Sequence, residues 1–362
     1  MVSQAGEQGF FSKGGGMSQA NTLSQNPQFQ RTTLYQAFKE SPFGFVDAGS
    51  AGGIHPIILP VASLTHCTCF EPDQSAYEVL FQDFRKNRVF GKISLFNTAL
   101  GDRNGNSKLY LTKSAVNSSV LKPRKMLTER YEVKGFMMDR EVEVRTETLD
   151  NIVFQHTDFG GNLGEFIKLD CQGLEYEILK GGLKTLDEQC VALWCETELL
   201  KMYEGQRTFS ELDLFLNQKG FRLYGFYPNY ISAKKIDRTS YDTEERIIWA
   251  DALYFKDPLS ESNKVNNFTE RQRCSLLLAA ILTKYYDFAL ELIDSFYHSR
   301  SEKEVLVDIV LELASAGKKR YEQDLMQFIE DCQEFPEKQY LLAKKFVDSH
   351  VSNNNIDNIS IF

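Results

Sequence analysis

Phe45-Val-Asp-Ala-Gly-Ser-Ala-Gly-Gly53 is the stretch that decides how this chain is read. A short apolar strand runs into an acid, then into glycines, and residues 54–64 follow as an apolar segment patterned like a helix. Glycines at such a joint let the backbone turn sharply and approach a ligand closely. A helix behind them points free N–H groups at whatever binds there. The stretch therefore reads as a nucleotide-type ligand loop on an α/β sheet. A dinucleotide loop needs G-x-G-x-x-G steps to seat a pyrophosphate. Here the spacing is Gly49-x-x-Gly52-Gly53, and Asp47 stands two residues before the first glycine. That acid suits a ligand with a positive end and no phosphate.

Outward from the loop, strand and helix signals alternate as far as residue 255. Strand-like runs fall at 43–47, 67–70, 93–96, 166–169, 191–195, 221–227 and 252–255, with helical patterns at 54–64, 74–84, 176–186 and 209–219. This alternation predicts a mostly parallel sheet with helices on both faces. No helix pattern separates the last two runs, so they are expected to pair antiparallel. Residues 101–147 break the rhythm with two half-polar strand patterns around Asn117-Ser118-Ser119, and read as a β insertion or lid near the ligand. Residues 1–30 are rich in Gly, Ser, Gln and Asn and read as a flexible tail. A polar linker begins at Pro258, and residues 265–350 read as a small C-terminal all-helical appendage. The expected division is thus 1–30, 31–257 and 265–350.

Bulk properties narrow the function. The chain has 362 residues, 42% hydrophobic and 25% charged, with a net charge of −9. The acidic balance argues against a nucleic-acid partner. No run of about 18 apolar residues suggests membrane insertion, and no basic-then-apolar N-terminus suggests a secretory leader. Seven cysteines, an odd number mostly in apolar runs, read as small buried hydrophobes of a reducing compartment. A cytoplasmic location is expected, and no cysteine or histidine spacing calls for a metal.

The residues that carry chemistry stand at expected carboxyl ends of strands, where open α/β sheets bind ligands. Glu71, in Phe70-Glu71-Pro72, lies 24 residues after Asp47 and is placed to accept both hydroxyls of an adenosine ribose. The loop and Glu71 together point to S-adenosylmethionine, with its ammonium and sulfonium. Asn97, after the third strand, is a candidate for the adenine edge. Ile167-Lys168-Leu169-Asp170 ends a strand in an acid before a glycine turn. Asp170 should face the same crevice as Asp47, and Lys168 is an unusual residue for a strand core. Glu196 closes the fifth strand, and Glu175 opens a helix. Asp170, Glu196 and Glu175 are the candidate catalytic carboxylates. Asp47, Gly49, Gly52, Gly53, Glu71, Asn97 and Asp170 are the candidate cofactor contacts. His55 at a helix start would have a lowered pKa from the dipole. Tyr203, Tyr224, Tyr227 and Tyr230 are read as packing residues ahead of sugar-stacking ones.

The motifs occur in one order: Phe45-Val-Asp-Ala-Gly49 to Gly53, Phe70-Glu71-Pro72, Asn97-x-Ala99-Leu100, Thr148-Leu149-Asp150, and Lys168-Leu169-Asp170-x-x-Gly173-x-Glu175 with Leu179-Lys180-Gly181. Over about residues 43 to 257 this resembles the FkbM-type S-adenosylmethionine-dependent methyltransferases. The resemblance implies a class I, Rossmann-like methyltransferase fold and O-methylation of a hydroxyl on a sugar, polysaccharide or natural product. It implies a small-molecule or glycan substrate, and leaves the C-terminal helices for a homo-oligomer or partner protein. The chain departs from the family's loop at Ser50-Ala51-Gly52 and from its D-V-E-G at Gln172, which removes a negative charge. The alternative reading is a degenerate domain acting as a cofactor-binding scaffold or interaction protein. A nicotinamide-dependent oxidoreductase is the rival enzyme class, disfavoured by the glycine spacing.

Overall fold

The computed structural model describes residues 20–50, 53–86, 88–155, 161–232, 244–260 and 268–351. Its strands are β1 (Phe43–Ala48), β2 (Thr65–Phe70), β3 (Lys92–Phe96), β4 (Ala99–Gly101), β5 (Gly105–Thr112), β6 (Met138–Thr148), β7 (Phe166–Leu169), β8 (Ala192–Glu198), β9 (Phe221–Ile231) and β10 (Arg246–Lys256). Its α-helices are α1 (Thr33–Glu40), α2 (Gln74–Lys86), α3 (Met126–Glu129), α4 (Leu149–Gln155), α5 (Glu175–Lys180), α6 (Leu183–Glu188), α7 (Phe209–Gln218), α8 (Glu270–Leu282), α9 (Tyr286–Phe296), α10 (Arg300–Glu334) and α11 (Gln339–Val351).

Seven strands form one sheet in the order β3-β2-β1-β7-β8-β10-β9. Neighbours run parallel except β10, which is antiparallel to both β8 and β9. This is the class I methyltransferase arrangement that the alternation and the resemblance led us to expect. The order reverses between β1 and β7, and the crevice at the carboxyl ends of those strands is where such sheets bind ligands.

Successive side chains of a strand face opposite sides, and the sheet builds a core on each. Val46, Ile167, Leu169, Leu193 and Tyr254 pack under α4, α5, α6 and α7. Phe43, Phe45, Cys67, Phe166, Trp194 and Phe255 share a second core with α1, α8, α9 and the start of α10. The C-terminal segment is all-helical, as expected, and its first helices pack against the sheet. Cys274 to Leu282 are buried without a break, and a helix apolar on every side belongs inside a core. Arg271 of α8 fastens this seam. Its Nε and Nη2 donate to the two oxygens of Glu165 at 2.5 and 2.6 Å, and its guanidinium also reaches the carbonyls of Ala37, Ser41 and Pro42. Glu165 accepts further from Gly44 N–H and the Ser275 hydroxyl. The expected boundary near residue 257 is therefore a turn in the chain and does not divide the core. Residues 300–334 form one long helix, α10, which pairs with α11 through Phe328 and Phe346 and leaves Met326, Tyr340 and Leu341 exposed. Among the described residues no helix is long and apolar enough to cross a membrane.

Two further expectations change. Of the expected tail, residues 20–30 are packed, with Leu23 and Phe29 buried and Asn21 N–H bonded to Leu59 O; residues 1–19 lie outside the described set. The expected helix at 54–64 is a 3-10 segment, Pro56–Leu64, broken at Val61. Pro56 and Pro60 remove two N–H donors, and Pro60's ring obstructs the carbonyl an α-helix would use. The insertion is a separate three-stranded sheet, β4-β6-β5, with residues 113–137 carried between β5 and β6.

Candidate active site

A cavity of about 660 Å³ opens at the β1–β7 switch point. Its floor is the glycine loop (Gly49, Gly53 and His55). One end is Phe70, Glu71 and Thr98 to Leu100, the other Lys168, Asp170, Trp194 and Asp251. The insertion supplies a wall from Leu109 and Leu111 to Ser119 and Val120. Gly52 lies outside the described residues.

Gly49 sits at φ +91°, and a Cβ there would stand 2.0 Å from the Asp170 carbonyl oxygen. The loop after β1 and the turn after β7 thus touch through backbone, a contact that only glycine allows. Asp47 does a different job from the one expected. It is fully buried and does not line the cavity. Its Oδ2 accepts the His55 N–H at 2.7 Å, closing the loop, while Ser50 Oγ donates to its carbonyl. Its Oδ1 has no aligned hydrogen-bond donor; the Lys168 ammonium 3.3 Å away supplies the counter-charge. Burial pushes Asp47 up, and Lys168 and the His55 N–H pull against that. Lys168 works against burial too, but Asp47 and Asp170 hold its ammonium above the ordinary lysine range. His55 is held down to about 3, by burial first and then by Lys168. The imidazole is neutral, as expected, though the cause is not a helix dipole, since no α-helix starts there.

Glu71 ends β2 with its carboxyl in the cavity wall. One oxygen accepts the Asp73 N–H at 2.8 Å. Burial pushes the group up to about 7. Asn97 does not line the cavity. Its amide donates to the Glu71 and Pro72 carbonyls at 2.9 and 3.4 Å, so it sets the turn that presents Glu71.

Of the three candidate catalytic carboxylates, Asp170 alone lines the cavity. Glu196 is buried behind it, and Gln172 Nε2 donates to both, at 2.9 Å to Asp170 and 3.1 Å to Glu196. Burial, and then the charge of Asp170, raises Glu196 well above the carboxylate range. Glu175 is buried below the turn, where its Oε1 accepts the Cys171 N–H at 2.7 Å; burial pushes it up to about 8. It locks the turn and does not reach the cavity. Gln172 itself is braced by the Tyr203 hydroxyl, which donates to Oε1 at 2.8 Å, and by Ser119 Oγ, which donates to its carbonyl. A glutamate in its place could not donate to two carboxylates, so the departure from the family pattern has a local reason. Tyr203 is fully buried in this role; Tyr224 packs on Phe255 and Phe288, and Tyr227 stacks on Trp194.

Three residues that line the cavity have no motif. Asp251 of β10 lies opposite Glu196, while Leu169 lies opposite Cys195, so Asp170, Glu196 and Asp251 stand abreast on three neighbouring strands. Burial and then Asp170 push Asp251 up to about 7, and the Trp194 indole N–H opposes that. Arg140 and Asp139, an exposed pair on β6, also line the cavity. Only the strand pairing reveals Asp251, whereas Lys168 carried its own signal as a lysine inside a strand.

Residues 58–223 match the model of the methyltransferase FkbM domain. No curated protein matches the chain. Among solved structures, the chain is similar to a methyltransferase FkbM from Methylobacillus flagellatus KT, at 15% identity over 66% of this chain and 57% of that one, TM-score 0.31. It is similar to M. capricolum TrmK in complex with S-adenosyl-homocysteine, at 9% identity over 78% of this chain and 95% of that one, TM-score 0.29. It is also similar to M. jannaschii TYW2 in complex with AdoMet, at 12% identity over 62% and 74%, TM-score 0.26. The match to the methyltransferase FkbM domain runs from within the segment before β2 to the start of β9, so this part of the chain is similar to that domain.

Proposed function

We propose that this protein transfers a methyl group from S-adenosylmethionine to a hydroxyl of a small-molecule or glycan acceptor. The observation that carries the reading is one cavity that runs from a ribose-type carboxylate, Glu71, across the glycine loop to Asp170 and Asp251. The donor set fits such a cofactor: carboxylates for hydroxyls and cationic groups, a backbone cradle at Gly49 that a Cβ would fill, and one buried cation. A pyrophosphate would meet Asp170, Asp251 and Glu71 with little to neutralise it.

S-adenosylmethionine, when bound, supplies a methyl group on a sulfonium. Glu71 accepts the ribose hydroxyls, and Phe70 and the 98–100 segment give the base an apolar wall. The insertion excludes water, and Ser119 ties that wall to the turn bearing Asp170. Asp170, 40% exposed at the side chain, takes the acceptor's hydroxyl proton, a role worth about 100- to 10,000-fold in rate. Gln172 keeps the carboxylate aimed. Glu196 backs it as a proton-holding neighbour without touching the acceptor.

The test is calorimetric titration with S-adenosylmethionine, followed by release of S-adenosylhomocysteine in the presence of a panel of glycosides. Asp170→Asn should cut release at least about 100-fold while changing cofactor affinity far less. No binding heat and no thermal stabilisation by the cofactor would overturn the reading. Equal release by Asp170→Asn would remove Asp170 from the chemistry.

A further inference from the structure

Among the described residues that line the cavity, two are cationic, Arg140 and Lys168. Arg140 has a 61% exposed side chain and is paired with Asp139 at 3.0 Å. Lys168 is the opposite case, a 9% exposed ammonium fixed on the central strand β7. Its contacts are unequal. Asp47 Oδ1 and the Gly49 carbonyl lie at 3.3 Å, but Asp170 Oδ2 is at 3.6 Å, beyond a hydrogen bond. The ammonium therefore sits closer to its loop-side partners, of which the Gly49 carbonyl accepts its hydrogen bond, than to Asp170 on the cavity side.

The charges point the same way. Asp47 and Asp170 against Lys168 leave one net negative charge beside the glycine loop, before Asp251 at the same end of the cavity is counted. A ligand with a sulfonium and an ammonium against one carboxylate carries one net positive charge and neutralises it. Within that ligand, the carboxylate is the group that needs a cation, and no second buried cation lines the cavity among the described residues.

We propose that Lys168 is the anchor for the α-carboxylate of the cofactor's amino-acid end. The assignment rests on the S-adenosylmethionine reading above and adds to it a division of labour. Asp47 does not meet the ligand; it holds Lys168 in place and charged. Lys168 meets the ligand's anion. Glu71 meets the far end of the same molecule.

The experiment compares S-adenosylmethionine with decarboxylated S-adenosylmethionine by calorimetry on the full chain. Wild type should prefer the carboxylated ligand by about 10- to 100-fold, the worth of a hydrogen bond between charged groups. Lys168→Met should bring that ratio close to one, mainly by weakening the carboxylated ligand. Because Lys168→Met leaves Asp47 buried without a counter-charge, the pair Lys168→Met with Asp47→Asn is made alongside it, and the same loss of preference is expected. Equal binding of both ligands by wild type overturns the assignment, as does a ratio that survives Lys168→Met. A wild type that binds neither ligand overturns the cofactor reading itself, a different result from either.

Discussion

Replacing Arg271 by alanine tests whether the sheet and the C-terminal helices are one cooperative unit. Arg271 gives Glu165 two charge-assisted hydrogen bonds, bonds three carbonyls of the 37–42 segment and lies 4.5 Å over the Phe38 ring. Glu165 is 1% exposed. In Arg271→Ala it keeps the Gly44 N–H and the Ser275 hydroxyl but has no counter-charge. Removing one partner of a buried pair costs about 3–5 kcal/mol. Lost packing on Phe38 adds to this, and water reaching the partly exposed guanidinium site subtracts from it, so about 3–4 kcal/mol is expected. Urea unfolding followed by far-ultraviolet circular dichroism and by tryptophan fluorescence reads it. Trp194 lies in the sheet, whereas helix signal comes largely from the C-terminal part. Both probes should shift together to lower urea. The pair Arg271→Met with Glu165→Gln, which removes both charges, should recover much of the loss. A loss below about 1 kcal/mol, or a fluorescence transition that stays in place while the helix signal moves, would refute the shared core.

Other outcomes follow from the site. Glu71 is pushed up to about 7, so only about one-tenth is ionised at pH 6 against about nine-tenths at pH 8; S-adenosylhomocysteine should bind about tenfold more weakly at pH 6, and Glu71→Gln should flatten that dependence. The same raised pKa means the folded state holds this proton more tightly than the unfolded chain. Its contribution to stability is therefore full below about pH 4.5 and is lost as pH rises towards about 7, which a melting series on wild type and Glu71→Gln would show as a difference in slope. Gly49→Ala places a Cβ 2.0 Å from the Asp170 carbonyl at φ +91°; it should lower the melting temperature and weaken cofactor binding by more than about tenfold, with at least about 1–2 kcal/mol from the backbone conformation alone, and unchanged calorimetry would refute the contact. Tyr203→Phe should cost about 1 kcal/mol for its lost hydrogen bond and speed protease cleavage within residues 113–137, because the Tyr203 hydroxyl also reaches the Asn117 carbonyl.

The parts that were legible in the sequence are those that local pattern determines. Phe166–Leu169 reads as a strand because its four residues are apolar or buried-capable and end in an acid before a glycine turn, and it is one. Glu71 and Asp170 were legible because a carboxylate at a strand's carboxyl end has few other places to point. Asp47 misled because its burial depends on Lys168, 121 positions away and aligned only by the β1–β7 pairing. Asn97 was expected at the adenine edge; its amide instead serves the backbone that presents Glu71, a contact that local pattern does not reveal. Asp251 carried no signal, since its position beside Glu196 arises from a reversed strand. The place of α8 was readable in principle. Nine buried residues in succession, Cys274 to Leu282, have no polar face to turn to solvent, and a detached helical unit would need one.

The shared core also sets a timetable for synthesis. The aromatic face of Phe45, Phe166 and Phe255 is covered by helices encoded after the last strand, and Val310, a buried member of that core, follows the end of β10 by about 50 residues. At about 5–20 residues per second, translation leaves that face open for about 3–10 s after the sheet's final strand is made. During that interval the nascent chain presents a wide apolar surface to its neighbours and to chaperones. A stop codon between β10 and α8 would leave the chain in this state.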